Sequence, residues 1–218
     1  IEQAAQVEIM KGASSVLYGS GALNGVIAIT EKQPVSKPET KIKLQSGIYG
    51  NPRRESLKWW SRNPTFHQFE LYRSKMYNRF GYTVSTAYVK DEGYREGETT
   101  DRGRISGTFY FRPKKFDRVK AGIGYNYQYQ KTGSFLLWQS DSLAYTPQQT
   151  DSSSTLGVNI GHRLFIDPYL TFRDKKNNKH SLKTRLYYVK NDIQNNESQS
   201  SQAAVYFFDY QFQKQWGN

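Results

Sequence analysis

Three histidines are the side chains best suited to bind a metal ion or move a proton in this sequence. They are His67, His162 and His180. No two of them share the close spacing, such as His-x-His or His-x-x-x-His, that brings two imidazoles onto one metal ion, and none belongs to a pattern with neighbouring carboxylates. We therefore predict a structural or solvent-facing role for each histidine and no metal site.

A cluster of carboxylates is the second candidate for chemistry. Residues 91–98 hold four carboxylates, and Arg95, Arg102 and Arg104 stand within or just after this stretch. We interpret it as a solvated loop of mixed charge, with contact to a substrate or a calcium ion as the weaker alternative. The chain has no cysteine, which excludes a thiol nucleophile, a Cys-ligated zinc, an iron–sulfur cluster and a disulfide scaffold. No catalytic residue and no cofactor are predicted, and an enzyme is not expected.

A glycine-rich stretch near the start of the sequence comes closest to a phosphate-binding loop. Gly19, Gly21 and Gly25 form G-x-G-x-x-x-G, which is one residue longer than the dinucleotide fingerprint and leads into a strand rather than a helix. The stretch also lacks the Lys-Ser or Lys-Thr pair of a P-loop. We interpret these glycines as positions for tight backbone turns and not as a phosphate site.

The elements around these glycines are short. Residues 7–10 predict a strand that Gly12 ends, and residues 13–17 suit one or two helical turns. Residues 25–30 predict a second strand, which is apolar enough to be buried.

This ordered block resembles the C-terminal part of the plug domain of TonB-dependent outer-membrane receptors. The family pattern is a Val-Glu-aliphatic strand, a Lys/Arg-Gly-Pro/Ala-Ser-x-x-Tyr-Gly segment, a Gly/Ala-rich turn and a strand ending in threonine. The matching positions are Val7, Glu8, Lys11, Gly12, Ala13, Ser15, Tyr18, Gly19, Ala22, Gly25, Ile27 and Thr30, with Gly21 and Asn24 inside the same stretch. Ala13 stands where many members have proline. The resemblance covers residues 7–30 and implies that they shape and gate a plug rather than bind ligand.

Composition narrows the fold class. The 218 residues include 31 Lys and Arg against 19 Asp and Glu, a net charge of 31 − 19 = +12, with 36% hydrophobic and 15% aromatic residues. No apolar run approaches the ~18 residues of a membrane-spanning helix, and the aromatic content argues against disorder. The basic residues form no dense patch, so a nucleic-acid partner is not expected. At the rims of a membrane protein they would meet anionic lipid headgroups or lipopolysaccharide.

From Thr40 onward, apolar and polar side chains alternate with a period of two, which is typical of half-buried strands. The clearest stretch is 119–130, where Val, Ala, Ile and Tyr alternate with Lys, Gly, Asn and Gln. Strands are predicted near 40–49, 66–75, 79–91, 103–112, 117–131, 155–172, 180–193 and 202–216. The connections alternate between short (76–78, 113–116, 173–179) and long (50–65, 92–102, 131–154, 194–201).

Long strands with alternating connections favour an outer-membrane barrel, whose polar face lines a wet lumen and whose apolar face meets lipid. Aromatic residues near strand ends are then candidates for the interfacial girdles: Tyr88, Tyr94, Tyr127, Tyr129, Tyr188 and Trp216. Phe135, Trp138 and Tyr145 in the longest connection are candidate contacts for an extracellular ligand. The period-two alternation does not show which face of the sheet is buried, so a soluble β-sandwich or a lipocalin-like barrel remains an alternative.

Pattern and resemblance together predict an all-β chain. Residues 34–218 are expected to form about eight strands of an antiparallel transmembrane β-barrel. Residues 1–33 are expected to be the C-terminal part of an α+β plug domain. Because members of the family close about 22 strands around a plug, we expect this sequence to be a fragment of a longer receptor.

The resemblance implies TonB-dependent active transport of a scarce nutrient across the bacterial outer membrane. The nutrient classes are siderophore-bound iron, haem, cobalamin and glycans, and the sequence does not distinguish them. Implied partners are TonB, acting on a segment outside this chain, outer-membrane lipid and lipopolysaccharide, the nutrient itself and a surface lipoprotein. The alternative is a non-transporting all-β outer-membrane binding or adhesion protein, or a small barrel in which these eight strands close alone.

Overall fold

The computed structural model describes residues 4–12, 25–114, 118–150, 153–194 and 196–214. Its regular structure is almost entirely antiparallel β-sheet, so the prediction of an all-β chain is confirmed. The strands are β1 (Ala4–Lys11), β2 (Gly25–Glu31), β3 (Glu39–Ile48), β4 (Thr65–Tyr77), β5 (Phe80–Asp91), β6 (Thr100–Phe111), β7 (Val119–Ser134), β8 (Gln149–Thr150), β9 (Ser153–Ser154), β10 (Gly157–Arg173), β11 (Lys179–Gln194) and β12 (Ser201–Gln213). Single 3-10 turns form at Glu55–Leu57, Asp141–Leu143 and Glu197–Gln199. Across these described ranges, no helix has the length and hydropathy to cross a bilayer.

Eight strands form one antiparallel sheet in the order β12-β11-β10-β7-β6-β5-β4-β3. Each strand pairs with its neighbour along the chain, and the short β8–β9 hairpin stands in the connection between β7 and β10. All eight predicted strands are confirmed, with their ends shifted by a few residues. The strands are long because the period-two pattern continues unbroken. β10 has 17 residues, against the five or six usual in soluble sheets.

The strand register sorts the side chains onto two faces. On one face, a row of paired residues crosses from β4 to β7: Glu70, Ala87, Arg104 and Gln128. The next row, on the opposite face, is Leu71, Thr86, Ile105 and Tyr127. We call the first the polar face and the second the apolar face.

The burial of the two faces is the reverse of that expected for a soluble sheet. On the apolar face, Leu44, Ile105 and Phe208 leave 76%, 44% and 69% of their surface exposed. On the polar face, small hydroxyl side chains are buried: Ser74, Thr83, Ser85, Ser106 and Thr108. The apolar face is therefore exposed, and burial on the polar face is concentrated on β4, β5 and β6, whereas on β12 Val205 and Phe207 of the polar face are also exposed.

The connection from β2 to β3 helps to bury the polar face. The backbone oxygen of Val35 accepts a hydrogen bond from the Met76 N–H at 2.7 Å, and the Val35 N–H donates to Ser74 Oγ at 3.3 Å. The Lys32 ammonium lies 5.3 Å from the ring centre of Tyr72, within the range of a cation–π contact. This segment therefore lies against the polar face where Tyr72 and Ser74 are buried.

The first two strands form a separate antiparallel hairpin. Both were predicted, but the expectation that the second is buried is wrong, since Ile27 and Ile29 are 66% and 63% exposed. The register pairs Ile9 with Ile27, and Ile9 is exposed too. Gly25 has φ +148°, and a Cβ there would lie 2.7 Å from the Met10 carbonyl oxygen, so this position favours glycine.

Several residues of the predicted plug motif lie outside the described residues, as do the predicted helical turns at 13–17. These motif residues are Ser15, Tyr18, Gly19, Gly21 and Asn24. Glu8 and Lys11 are described within β1 and Gly12 just after it, where Gly12 has φ +94°.

The connections separate into two ends of the large sheet. At one end are 78–79, 112–118 and 174–178, and at the other are 49–64, 92–99, 135–156 and 195–200. The predicted alternation is confirmed for the first three long connections. It also holds for 195–200, which is one residue longer than the neighbouring connection 174–178, although the 3-10 turn Glu197–Gln199 makes this hairpin the shortest of the four.

Asp174 organises the turn between β10 and β11. Its Oδ1 accepts backbone N–H bonds from Lys176 at 2.8 Å and Asn178 at 2.9 Å, and its Oδ2 accepts the Asn178 side-chain amide at 2.8 Å. The Asn178 amide is the main cause that lowers the pKa of this carboxyl. The ionised carboxylate therefore fastens the turn, in which Asn177 adopts φ 64°.

We expect the Asp174→Asn substitution to lower the melting temperature at neutral pH and to flatten its pH dependence. The folded pKa lies below the ordinary value of about 4, so the stabilisation is present above that value and is lost as pH falls through the folded pKa. Circular dichroism melting curves between pH 7 and pH 3 measure both effects. Asp141→Asn, in an exposed loop, is the matched control, and equal behaviour of the two variants would contradict this assignment.

Candidate binding surface at the loop end of the sheet

Three long connections pack against one another at one end of the sheet. Glu96 in 92–99 donates its backbone N–H to the Tyr145 oxygen in 135–156 at 2.8 Å. Trp59 in 49–64 donates its indole N–H to the Tyr94 oxygen at 3.0 Å. Gly133, at the end of β7, donates its N–H to the Thr99 oxygen at 2.9 Å. These bonds hold the three connections as one surface above the sheet.

Aromatic side chains from these connections and from the start of β4 form a continuous group, which we call the loop cluster: Tyr49, Trp59, Trp60, Phe66, Tyr94 and Tyr145. Tyr94 is its centre, with ring centroids 5.6 Å from Tyr49, 5.5 Å from Trp60 and 5.0 Å from Tyr145. Such separations are those of favourable offset or edge-to-face aromatic pairs. The cluster is therefore a small core built from loops.

Tyr49 connects the loop cluster to the polar face. Its hydroxyl donates to both carboxylate oxygens of Asp91, at 3.1 and 2.9 Å, and its ring lies 5.6 Å from that of Phe66. Burial, together with the neighbouring Asp91 carboxylate, raises the pKa of the Tyr49 phenol. Tyr49 therefore remains a neutral donor at physiological pH, and the cluster lies at the mouth of the polar face.

The acidic loop is paired within the protein. Glu92 accepts the Thr65 backbone N–H at 2.7 Å, which is the main cause that lowers the pKa of Glu92, and it also accepts a hydrogen bond from Arg62 at 2.8 Å. Arg95 and Glu98 form an ion pair. These contacts agree with the interpretation of a mixed-charge loop, in which the carboxylates hold the connections together.

The structure places the three predicted ligand-contact residues in different environments. Phe135 is only 3% exposed, with the Arg95 guanidinium 4.6 Å from its ring centre. Tyr145 belongs to the loop cluster, where its ring packs against that of Tyr94 at an interplanar angle of 59°. Trp138 is 48% exposed and forms a backbone bridge with Pro147. Their contact with a ligand stays a prediction, in which Trp138 and Tyr145 present the larger surfaces.

Consecutive apolar side chains project from the longest connection. Leu136 and Leu137 are 87% and 58% exposed, directly before Trp138. The backbone behind them is held as an irregular hairpin, in which Gln148 donates its N–H to the Leu137 oxygen at 2.9 Å. This apolar tip can offer contact area to an apolar or aromatic ligand group.

Sequence reasoning missed Tyr49, Trp59 and Trp60 as members of this surface. The signal was present, because an adjacent pair of tryptophans in a long polar connection is unusual. Trp60 is buried, and Trp59 packs edge-on against it with ring centroids 5.6 Å apart.

The predicted structural role of the histidines agrees with their contacts. His67 is hydrogen-bonded to Ser46, His162 to Tyr127 and His180 to Tyr210, all on the apolar face. In the part of the chain that the structure describes, no group of three or more His, Asp and Glu side chains has the arrangement of a metal site.

We expect Trp60→Ala to loosen connection 49–64, since removing a buried indole costs about 3–5 kcal/mol. Limited trypsin digestion should then cut faster at Arg53, Arg54 and Lys58, while the strands stay protected. Trp138→Ala, which removes a half-exposed indole, is the control and should leave the cleavage rate unchanged. Equal rates for the Trp60 variant and the unmodified protein would refute the role of the loop cluster.

No protein-family model matches the sequence, and no curated protein matches it. The assignment of function therefore rests on the residues and the geometry described above.

Proposed function

We propose that this chain supplies wall strands and the end of the plug to a TonB-dependent transporter of the bacterial outer membrane. In this proposal the apolar face meets lipid, the polar face lines the lumen and the loop end faces the outside of the cell. The transported molecule is a scarce nutrient of one of four classes: siderophore-bound iron, haem, cobalamin or glycan.

The observation that carries the proposal is the exposed apolar face. Large side chains are exposed across the sheet from β3 to β12: Ile42, Leu44, Ile48, Phe80, Tyr88, Ile105, Phe109, Phe111, Ile123, Tyr127, Leu186, Tyr206, Phe208, Tyr210 and Phe212. Apolar surface in water costs about 25 cal/mol per Å², and soluble monomers rarely expose one continuous patch of this kind. Lipid removes that cost, so a bilayer is the environment that this face fits.

The height of the apolar band also fits a membrane. On β7 the apolar face runs without charge from Val119 to Tyr129, about 33 Å along the strand at ~3.3 Å per residue. The strand tilt of 35–45° in outer-membrane barrels reduces this to about 25 Å, which is the height of their apolar band. Lys131 follows on the same face at the loop end.

Aromatic residues border the band at the loop end, as interfacial girdles do. Tyr88, Tyr127 and Tyr129 lie on the apolar face, and Lys90 and Lys131 stand just beyond them on the same strands. Tyr188 continues this border on β11. Tyr94, the fifth described girdle candidate, instead lies in the loop cluster, and Trp216 lies outside the described residues.

Two further observations favour a plugged transporter over a small closed barrel. In the described part of the chain, β3 pairs only with β4 and β12 only with β11, so the sheet has two open edges. Open edges cannot face hydrocarbon, because their backbone groups would lack partners, and further strands would satisfy them. The segment after β2 lies on the polar face, where the connection between a plug and its barrel would run.

We expect Ile123→Arg to impair membrane assembly. A charge at the middle of the lipid face costs about 2–4 kcal/mol, whereas Asn126→Arg places the same charge on the polar face and should be tolerated. The measurement is the amount of heat-modifiable protein in the outer-membrane fraction. If both variants accumulate equally in that fraction, the apolar face does not meet lipid.

Transport is tested by nutrient uptake that requires both this protein and TonB. The probes are labelled ferric chelates, haem, cobalamin and oligosaccharides. Uptake of one of these classes should fall when the gene for this protein or the gene for TonB is deleted. Deleting both genes should cause no further loss. The non-transporting alternative predicts normal uptake of all four classes without this protein. Outer-membrane location combined with that result would overturn the transport proposal and support the alternative.

A further inference from the structure

A cleft on the polar face lies directly below the loop cluster. β4 and β6 form its walls and β5 its floor, where the short side chains of Ala87 and Val89 leave space. The cavity has a volume of about 220 Å³. Its polar walls are Gln68, Glu70, Arg102, Arg104 and Gln128, and we call it the arginine cleft.

The register places this cleft next to the mouth of the sheet. Phe66 and Asp91 pair in the row nearest the loops, and Gln68 and Val89 pair in the next row of the same face. Tyr49 of the loop cluster contacts both Phe66 and Asp91. A ligand held by the loop cluster is therefore adjacent to the arginine cleft.

The two arginines carry the chemical argument. Among the described residues, neither Arg102 nor Arg104 forms an ion pair. The Arg104 Nε–H is buried and has no hydrogen-bond acceptor. A buried donor left without a partner is costly, so the site favours a ligand that brings an acceptor, best of all a charged oxygen. The planar guanidinium matches the two oxygens of a carboxylate or a phosphate.

The opposite wall selects for hydroxyl groups. Glu70 stands across Ala87 from Arg104 in the same row, and it accepts a hydrogen bond from the Gln68 side-chain amide. Gln128 donates to Gln130 at 3.0 Å. A carboxylate and two carboxamides accept and donate hydrogen bonds at one site, which suits a ligand with several hydroxyls. The cavity volume accommodates one sugar-sized group.

We infer that the arginine cleft is a binding subsite for a small polyhydroxylated anion, or for such a group at the end of a larger ligand. The anionic oxygens, from a carboxylate or a phosphate, bind Arg102 and Arg104, and hydroxyl groups bind Glu70 and the glutamines. This inference rests on the proposed function, in which the polar face lines the path of the nutrient. It narrows the substrate class to ligands that carry a negative charge beside hydroxyl groups.

The test is isothermal titration of the intact protein in detergent with three probes of similar size: D-glucuronate, D-glucose 6-phosphate and D-glucose. The neutral sugar should bind at least tenfold more weakly than the better anion, since charge-assisted hydrogen bonds carry the difference. The ratio of the dissociation constants of the two anions distinguishes a carboxylate site from a phosphate site. Equal binding of all three probes, or no binding of any, would overturn the inference.

Substitutions then localise the binding. Arg104→Gln and Arg102→Gln should each lower the binding affinity for the anion about 10-fold to 100-fold. Arg104→Lys keeps the charge but loses the planar fork, so its effect should be intermediate. Lys183→Gln removes a cation from the polar face outside the cleft and is the matched control. Equal weakening by Lys183→Gln would show a general charge effect and refute the subsite.

The titration distinguishes this inference from the proposed function. It needs no TonB, and heat modifiability of each variant verifies its folding. Anion binding that depends on Arg104, without TonB-dependent uptake, keeps the subsite and overturns transport. Uptake without anion preference keeps transport and overturns the subsite.

Discussion

The pairing of backbone hydrogen bonds between long neighbouring strands is the constraint on which the rest of this structure depends. Each ladder between neighbouring strands contains 10 to 16 residue pairs, and the register has no shift from β3 to β12. Because successive side chains point to opposite faces, an unbroken register keeps alternate residues of each strand on the same face of the whole sheet. Most large apolar residues therefore share one face, while Phe66 and Phe207 are among those on the other. A slip of one residue in any pair would move a row of charges into the apolar band.

This register also explains how a chain of low hydropathy can build a large apolar surface. Half of the strand residues suffice to cover one face, so the other half are free to be polar. On the polar face near the short turns, the small buried side chains Ser74, Thr83 and Ser106 accompany the buried Tyr72 and Tyr110, and the Ser74 hydroxyl accepts a hydrogen bond from the segment after β2. Nearer the loops the face carries longer side chains, and Ala87 and Val89 between them open the arginine cleft.

The loop end depends on a different interaction. The ladder described within its connections is the short β8–β9 pair, and aromatic packing around Tyr94 joins the connections to one another, with Tyr49 and Asp91 fastening the cluster to the sheet. Gly93 has φ +80° and a Cβ there would collide with the Glu98 backbone, so the tight loop beside Tyr94 requires glycine. The cluster includes Tyr145, in the same connection that carries the apolar tip Leu136–Leu137–Trp138.

Much of the fold was predictable, because its pattern is local. Alternation over residues such as 119–130 predicted each of the eight strands and the face that each side chain occupies. The tight hairpin at 195–200 and the exposure of Ile27 were not predictable. The first depends on a 3-10 turn with no strong signal in the sequence, and the second on whether another element covers β2.

The candidate site was predictable only in part. Phe135, Trp138 and Tyr145 were identified by their place in the longest connection, but the side chains around them come from connections far away in the chain. The sequence by itself determined the strands, their two faces and the resemblance of residues 7–30, since these are properties of neighbours in the chain. Only the tertiary structure decided that the apolar face is the exposed one, that Phe135 lies buried beside Arg95, and that Arg104 faces Glu70 across a cleft. These features depend on which strands and loops meet in space. The type of one residue does not indicate which residue, far away in the chain, will lie beside it.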